Sequence, residues 1–330
     1  MTFPNLPDAP RLLLEVDLQP AQGTRFQPTG FPDLGAATYS LHDGTSMLLV
    51  ESAQSVANRL EAVCWDEAAG ALVAPLRGLP YVEVVRDGRV ITNSTLEAHR
   101  LNSAYIEKSD VAERIAGEIG YVAGQPVDRA RFLRTLCKYD PSSLLHGVFL
   151  ESIAGVLRVP RALSGFIEAR DVRVVSSGGV KNDRVMAGKD EDAGATAKEG
   201  FGNVPYHRDE YTAGKITAFF NLDLDQLRSY RLGPAAEQFL HALALFKIRG
   251  FLARGLRLRA ACDFDATEPR VTRPAGHPLP SLGTLVEALP GLIAAVHKDG
   301  LFADPPVTRA TFQVKPAKDP KDSKKAGKGR

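Results

Sequence analysis

The sequence predicts an α+β fold with an RRM-like (ferredoxin-like, split βαβ) core and large insertions. Three observations support this prediction. A short apolar run at 11–18 is typical of a buried strand, and strand-like runs recur at 166–176 and 215–224. The segment 235–254 has the spacing of a strongly amphipathic helix, and an alternating run at 256–260 follows it as a half-buried strand. This order of elements fits the split βαβ arrangement.

The first helix of this core is predicted at 146–157, an apolar stretch that ends before Pro160. Ser142 and Ser143 precede it and offer a side-chain cap. The chain then forms one elaborated domain over 1–314, followed by a disordered basic tail at 315–330. The core comprises 11–18, 141–176 and 215–265, with an insertion at 19–140 and a thumb-like insertion at 177–214.

The insertion at 19–140 has regular elements of its own. Runs at 81–85 and 90–92 flank Asp87 and Gly88 and give the clearest hairpin signal in the chain. The remaining predicted elements are a strand at 47–50, helices at 51–65, 97–105 and 130–138, and, beyond the core, a helix at 282–297 and a strand at 308–314.

Charge is distributed unevenly along the 330 residues. The formal net charge is +2, but the segment 315–330 holds six Lys and one Arg against two Asp, a net of +5, which leaves −3 for the rest of the chain. A protein that binds polyanions in general has a basic body. Any nucleic-acid site in this chain must therefore be a local groove.

The cysteine spacing and the hydropathy pattern exclude two classes of protein. Cys64, Cys137 and Cys262 are far apart and form no CxxC pair, so we expect neither a disulfide framework nor a metal site. No apolar run approaches the roughly 20 residues that span a bilayer, and the N-terminus lacks a signal-peptide pattern. We therefore expect a cytoplasmic protein with no cofactor and no membrane partner.

The segment 23–35 is predicted to be an ordered loop, because three glycines and two prolines interrupt regular structure. It nevertheless carries Arg25, Phe26, Gln27 and Phe31. Aromatic rings, a planar cation and an amide are suited to stacking on bases and binding phosphates. The same composition is typical of a loop whose rings fill the edge of a core, so both interpretations remain open.

Polar side chains on two predicted helices leave a similar choice. Gln54, Asn58 and Arg59 lie on the polar faces of one helix, and His99 and Arg100 lie on the other. On the first helix, Gln54 and Asn58 either contact the sugars or base edges of a nucleic acid or belong to an ordinary solvated face. On the second, we interpret His99 as a structural or RNA-contacting residue and not as a catalyst.

Six strings of residues carry a family resemblance. They are the loop at 23–35, LVESAQS at 49–55, NRLE at 58–61, EAHRLNS at 97–103, DPSSLLHG at 140–147 and SGGVKND at 177–183. In these strings the chain resembles the RAMP-superfamily backbone subunit of type I CRISPR (Cascade) complexes, in the subtype labelled U and more recently G. The resemblance extends from about residue 11 to about residue 312.

The resemblance implies that several copies bind along one CRISPR RNA and present its spacer to invading target DNA, with other Cascade subunits as partners. Such binding is independent of the spacer sequence, so its contacts go to phosphate and 2′-hydroxyl groups. The glycines of the last string would let backbone amides approach a phosphate, and the segment 177–214 would cross the RNA as a thumb. The candidate RNA-binding residues are Arg25, Phe26, Gln27, Phe31, Gln54, Asn58, Arg59, His99, Arg100, Gly178, Gly179, Lys181, Asn182 and Arg184.

The alternative is an endoribonuclease that acts on CRISPR RNA or target RNA, as some RAMP relatives do. Its candidate catalytic residues are His99, His146, His207, Asp17 and Asp33. Acid–base catalysis by histidine needs a partner within hydrogen-bond reach, which spacing along a chain does not establish. No recognised catalytic motif accompanies these residues, so we expect a binding protein and not an enzyme. A generic oligomer that binds no RNA is a third interpretation, and only the negative charge of the body supports it.

Overall fold

The structure is a computed structural model that describes residues 4, 6–31, 33–122, 125–151, 157–181 and 204–312. Its strands are β1 (Arg11–Pro20), β2 (Gly30–Phe31), β3 (Gly35–Ala36), β4 (Thr38–Ser40), β5 (Ser46–Glu51), β6 (Trp65–Asp66), β7 (Ala71–Leu72), β8 (Tyr81–Arg86), β9 (Arg89–Asn93), β10 (Val148–Leu150), β11 (Leu157–Val159), β12 (Leu163–Arg170), β13 (Arg173–Lys181), β14 (Val204–Thr212), β15 (Lys215–Asp223), β16 (Leu256–Arg259), β17 (Cys262–Ala266), β18 (Arg270–Arg273) and β19 (Val307–Thr311).

The α-helices are α1 (Ala53–Ala62), α2 (Ala104–Glu107), α3 (Asp110–Ile119), α4 (Arg129–Tyr139), α5 (Ser142–His146), α6 (Leu224–Ser229), α7 (Pro234–Ala253) and α8 (Leu282–Lys298), and short 3₁₀ turns lie at Ala74–Leu76 and Arg100–Asn102. The described residues therefore mix helices with antiparallel strands, which confirms the predicted α+β class. No helix among these residues has the length and apolar character needed to cross a membrane.

One large antiparallel sheet organises the fold. Its strand order is β16-β17-β1-β15-β12-β5-β4, and β18 also pairs with β1. Along β1, the side chains of Leu12, Leu14, Val16 and Leu18 are buried, whereas the residues between them are only partly buried. This period of two gives the sheet one core face and one half-exposed face.

Two helices cover the core face of the sheet. The long helix α7 packs against α1, α8 and β17, and α1 also packs on β12. Phe251 of α7 packs edge to face on Phe220 of β15, with 6.4 Å between the ring centroids. This distance lies within the range of about 4.5–7 Å that is usual for aromatic pairs. At Gly250 the two helices are so close that a β-carbon would contact Val63 just beyond α1. The sheet, α1 and α7 therefore share one core.

Most predicted elements agree with the structure in place and type. The strands β1, β5, β15 and β16, the hairpin β8–β9 and the helices α1, α4, α7 and α8 are confirmed. The predicted amphipathic character of α7 is wrong, because every residue from 239 to 248 is buried. The predicted helix at 97–105 is present only as a 3₁₀ turn followed by the short α2. The predicted strand at 166–176 is two strands, because the chain turns at Asp171, which has a φ of +56°.

The predicted core helix at 146–157 is wrong. Helix α5 ends at His146, and the chain continues as β10, which pairs with β11. Gly147 explains the break, since it has a φ of +79° and a β-carbon there would lie 2.8 Å from the carbonyl oxygen of Val159. The main helix that packs on β12 is α1, from the segment assigned to the insertion, with a smaller contact from α5.

The predicted thumb begins and ends as a β-hairpin. β13 and β14 pair in continuous antiparallel register from Arg173 opposite Thr212 to Lys181 opposite Val204. We call these two strands the arm. The middle of the predicted thumb, 182–203, and the predicted tail at 315–330 lie outside the described residues.

Candidate nucleic-acid interface

The loop after β1 connects three parts of the fold through its backbone. Phe26 exchanges two hydrogen bonds of 2.9 Å with Tyr211 at the base of the arm. The amide of Gln27 donates to Ala261 in the β16–β17 turn at 2.8 Å, and the amide of Thr29 donates to Val50 of β5 at 2.9 Å. These bonds place the loop between the arm and one edge of the core.

Arg25 lies at the base of the arm, where positive charge is in excess. Its Nη1 is 3.0 Å from Glu210 Oε2 and donates to Ser177 Oγ at 3.2 Å, and Arg208 also pairs with Glu210. The Ser177 hydrogen bond and the two guanidinium groups lower the pKa of Glu210, so this carboxyl group is ionised at neutral pH. Two arginines facing one carboxylate leave net positive charge for a phosphate, and the Arg25 side chain is 54% exposed.

The ring of Phe26 is buried in the hydrophobic core, which corrects its predicted stacking role. It is 1% exposed and packs edge to face on Phe264 with 5.5 Å between ring centroids. A base cannot reach either face of this ring while the ring stays in the core. Phe31, by contrast, is 48% exposed at the β2–β3 turn, and Gln27 is half-buried beside Arg259, which donates to its carbonyl oxygen at 3.1 Å.

A buried carboxylate ties α1 to the edge of the sheet. Glu51 is fully buried and accepts hydrogen bonds from Ser55, Arg59 and Arg259. The Arg59 guanidinium also donates to the carbonyl oxygens of Arg257 and Leu258. Arg59 is therefore partly committed to structure, and about a quarter of its side chain, 28%, remains exposed.

Three predicted residues from two distant strings meet in one cleft of about 910 Å³. Gln54 of α1 lies there with His99 and Arg100, and the rim adds Arg129, Arg158 and Arg161. The amide of Gln54 donates to Asn58 at 3.1 Å, and its oxygen accepts a hydrogen bond from Arg161. His99 and Asn58 are exposed. The candidate RNA-binding residues from the sequence did not include the three rim arginines. Arg158 nevertheless alternates with buried Leu157 and Val159, which indicates an outward-facing position.

Arg100 is a buried structural cation, which corrects its predicted RNA contact. It is 4% exposed, and its Nε and Nη2 lie 2.6 Å from the two carboxylate oxygens of Glu61. Burial raises the pKa of Glu61 to about 7, although the charge of Arg100 acts in the opposite direction. The ionised form of Glu61 thus neutralises the charge of Arg100 within the core.

The floor of the cleft contains a buried histidine that is held by a buried lysine. Lys247 of α7 has no exposed surface, and its Nζ lies 3.0 Å from Ser142 Oγ and 2.9 Å from His146 Nε2. Burial and the neighbouring charges of Lys247 and Arg100 keep the pKa of His146 well below its usual range. His146 is therefore neutral, with Nε2 accepting from Lys247 and the proton on Nδ1.

The glycines of the arm serve strand pairing. A β-carbon at Gly178 would collide with the carbonyl oxygen of Tyr206, and one at Gly179 would lie 2.9 Å from the Tyr206 hydroxyl. Both positions have ordinary strand conformations, so close packing against Tyr206 explains them without a phosphate contact. Lys181 is exposed at the end of β13, and the predicted contacts Asn182 and Arg184 lie outside the described residues.

A comparison with family models agrees with the sequence resemblance. Residues 12–174 match the family model described as CRISPR-associated protein GSU0053. A chain of a solved CRISPR RNA-guided surveillance complex, pre-nicking, is 14% identical with a TM-score of 0.39, over 88% of this chain and 89% of that one. Csc2 from Thermofilum pendens is 10% identical with a TM-score of 0.32, over 89% of this chain and 76% of that one. No curated protein matches the chain.

The family match begins in β1 and ends in β13. It includes the loop with Arg25, helix α1 and the residues that line the cleft around Gln54 and His99. It therefore covers the part of the chain in which the predicted RNA-binding residues come together. Over residues 12–174 the chain matches the CRISPR-associated GSU0053 family, the kind of match that its resemblance to a CRISPR backbone subunit predicts.

Proposed function

We propose that this chain binds CRISPR RNA as a backbone subunit of a Cascade surveillance complex. Several copies would hold the guide along its spacer for pairing with invading DNA, in contact with other Cascade subunits. The observation that carries the proposal is the position of α1 between the two cationic regions. Arg59 connects α1 to the strand beside the loop of Arg25, and Gln54, about 7–8 Å away along the helix axis, lies in the arginine-lined cleft.

We call this path from Arg25 past α1 to the cleft the strip. The residues of the strip come from segments that are far apart in sequence. Their positive charges are concentrated in the strip, which fits a chain whose body is not basic overall. A strip of arginines and amides is suited to phosphate and 2′-hydroxyl contacts that leave base edges free.

The half-exposed face of the main sheet is less suited to RNA. It carries the carboxylates of Glu15, Asp17 and Glu168. Asp17 pairs with Lys215 at 3.1 Å and Glu15 pairs with Arg270 at 3.2 Å, so the cations on this face already have acidic partners. This distribution of charge favours the strip over the open sheet face as the guide-binding surface.

Replacing Arg25 with Ala is expected to weaken the binding of guides with different spacers by the same factor. If Arg25 contacts a phosphate, the replacement lowers the slope of log affinity against log salt by about 0.7, the value for one single-strand contact. Fluorescence anisotropy with two unrelated spacers over a range of salt concentrations measures both quantities. Arg309→Ala is the matched control, because Arg309 is 79% exposed and pairs with Glu83 outside the strip. A loss confined to one spacer would contradict the proposal.

The proposal includes head-to-tail association along the RNA. The arm exposes Val174 (57%), Val180 (55%) and Tyr206 (52%), and exposed apolar groups on a projecting hairpin are suited to contact with a neighbouring copy. A heterologous interface that does not close generates an open helix. Particle length by electron microscopy is therefore expected to increase with spacer length, whereas a dimer or ring of constant size on every spacer would count against this arrangement.

We also propose an RRM-like core within one elaborated domain over 1–314. The strand order β17-β1-β15-β12 supports it, because the split βαβ unit places its last strand beside its first and its third strand between first and second. α1 and α7 then occupy the two helix positions on one face. The segment 19–140 thus supplies a core helix in addition to its inserted hairpins.

We propose further that the subunit binds RNA without cutting it. The candidate catalytic residues are dispersed: His146 is buried against Lys247, His207 pairs with Asp209 on the arm, and Asp33 has a φ of +70° in the β2–β3 turn. Among the described residues, no group of three or more His, Cys, Asp or Glu side chains is arranged to hold a metal ion. Labelled guide precursor and target are expected to stay intact with and without Mg²⁺, and cleavage that His99→Ala or Asp33→Ala abolishes would favour the endoribonuclease.

A further inference from the structure

The hairpin β10–β11 presents an aromatic ring and a cation side by side in the cleft. Its inward residues Val148, Leu150, Leu157 and Val159 are buried. Phe149 is 42% exposed and lies directly opposite Arg158 in the strand register. Side chains opposite each other in an antiparallel pair share a face, with β-carbons about 4.5–5.5 Å apart. An exposed ring beside a guanidinium group is suited to stacking on a nucleobase.

The rim around this pair has an excess of positive charge. Arg129, Arg158 and Arg161 line the cleft, and Glu151 is the one carboxylate among its described lining residues. Arg129 and Arg158 form no ion pair with any described residue. Guanidinium groups without a carboxylate partner are ready to bind phosphate oxygens through charge-assisted hydrogen bonds.

The floor of the cleft supplies a hydrogen-bond donor that lacks an acceptor. His146 is 1% exposed and lines the cleft, and Lys247 occupies its Nε2. Its Nδ1, which carries the proton, has no hydrogen-bond partner among the described residues. A buried donor without an acceptor is destabilising, so such a group in a native cleft indicates a missing hydrogen-bond partner.

We propose that this cleft binds one unpaired nucleotide, with the base stacked on Phe149, the phosphate held by the rim arginines, and an acceptor of the nucleotide on His146 Nδ1. The volume of about 910 Å³ lies within the range of about 300–1,000 Å³ that is common for small-ligand sites. The inference rests on the proposed RNA-binding function and specifies a single nucleotide as the ligand of the cleft. Stacking is tolerant of sequence, which suits a guide whose spacer varies. Ribonucleotides of the guide and deoxyribonucleotides of a displaced strand share this chemistry.

Photolabelling of the full chain tests the site directly. The probes are 8-azidoadenosine 5′-monophosphate and its 2′-deoxy counterpart, and peptide mapping locates the label. We expect the label within 146–161, with competition by unlabelled adenosine monophosphate. Phe149→Ala and Arg158→Gln are each expected to reduce the labelling at low probe concentration roughly tenfold, the size of one stacking or charged contact. Both side chains are exposed, so neither change is expected to unfold the chain.

The matched control is Arg309→Gln, which removes an exposed cation outside the cleft and should leave the labelling unchanged. Stronger labelling by the ribonucleotide assigns the site to the guide, and stronger labelling by the deoxyribonucleotide assigns it to DNA. Label outside the cleft, or cleft label that persists in Phe149→Ala, overturns the inference. Retention of guide RNA is measured separately: retention without cleft label refutes only this inference, and cleft label without retention refutes only guide binding.

Discussion

Replacing Arg100 with Ala is expected to lower the free energy of unfolding by about 3–5 kcal/mol, because the change leaves a buried carboxylate without its partner. The two groups are 4% and 2% exposed, and two contacts of 2.6 Å join Arg100 to Glu61. Arg100 also donates to the carbonyl oxygen of Gly147 at 3.1 Å, next to the start of β10. Urea denaturation followed by circular dichroism measures the loss.

The destabilisation is expected to be larger at pH 8 than at pH 6. With Arg100 present, burial raises the pKa of Glu61 to about 7 against an ordinary value of 4.5. An acid whose pKa is higher in the folded state lowers stability as the pH rises from the unfolded pKa through the folded one. Removal of Arg100 takes away an effect that lowers this pKa, so the pKa rises further. The difference in the free energy of unfolding between the variant and the parent therefore increases above pH 7.

Two controls define the result. Glu61→Gln in the Arg100→Ala background removes the unpaired charge, so the contribution of Glu61 to the pH dependence of the free energy of unfolding between pH 6 and 8 is expected to be absent from the double variant. Arg309→Ala removes an arginine that is 79% exposed and is expected to change the free energy of unfolding by no more than about 1 kcal/mol. A loss for Arg100→Ala that is the same at both pH values would mean that packing of the arginine, and not the charge of Glu61, is responsible.

Replacing Phe26 with Ala is expected to lower the free energy of unfolding by about 3–5 kcal/mol, the range for a buried aromatic residue. The ring is 1% exposed and packs on Phe264, and its backbone joins the loop to the arm at Tyr211. Guide affinity per folded molecule is expected to remain within about twofold, because the ring makes no contact that RNA could replace. Thermal denaturation and anisotropy at low temperature measure the two quantities.

Phe31→Ala is the matched control, since this ring of the same loop is 48% exposed. Its removal is expected to leave the free energy of unfolding within about 0.5 kcal/mol of the parent value. If Phe26→Ala left stability unchanged and weakened guide binding, the predicted stacking role would stand and the core role would fail.

The sequence by itself determined the elements whose residues repeat with a clear period. The strand β1 follows from its short apolar run, and the helix α1 follows from the helical spacing of its apolar residues. The hairpin β8–β9 follows from Asp87 and Gly88, whose φ values of +51° and +74° suit a two-residue turn. The family resemblance also lay in the sequence, because it depends on strings of residues that need no coordinates.

Only the tertiary structure decided which polar residues face outward. Arg100 and His99 are neighbours in sequence, yet the first is buried with Glu61 and the second is exposed in the cleft. Phe26 and Phe31 divide in the same way between core and surface. Burial depends on contacts between distant segments, such as Arg100 with Glu61 and Phe26 with Phe264, and local spacing holds no information about them. The same reason explains the break at Gly147, where crowding by Val159 excludes a β-carbon and ends the apolar helix that the sequence predicts.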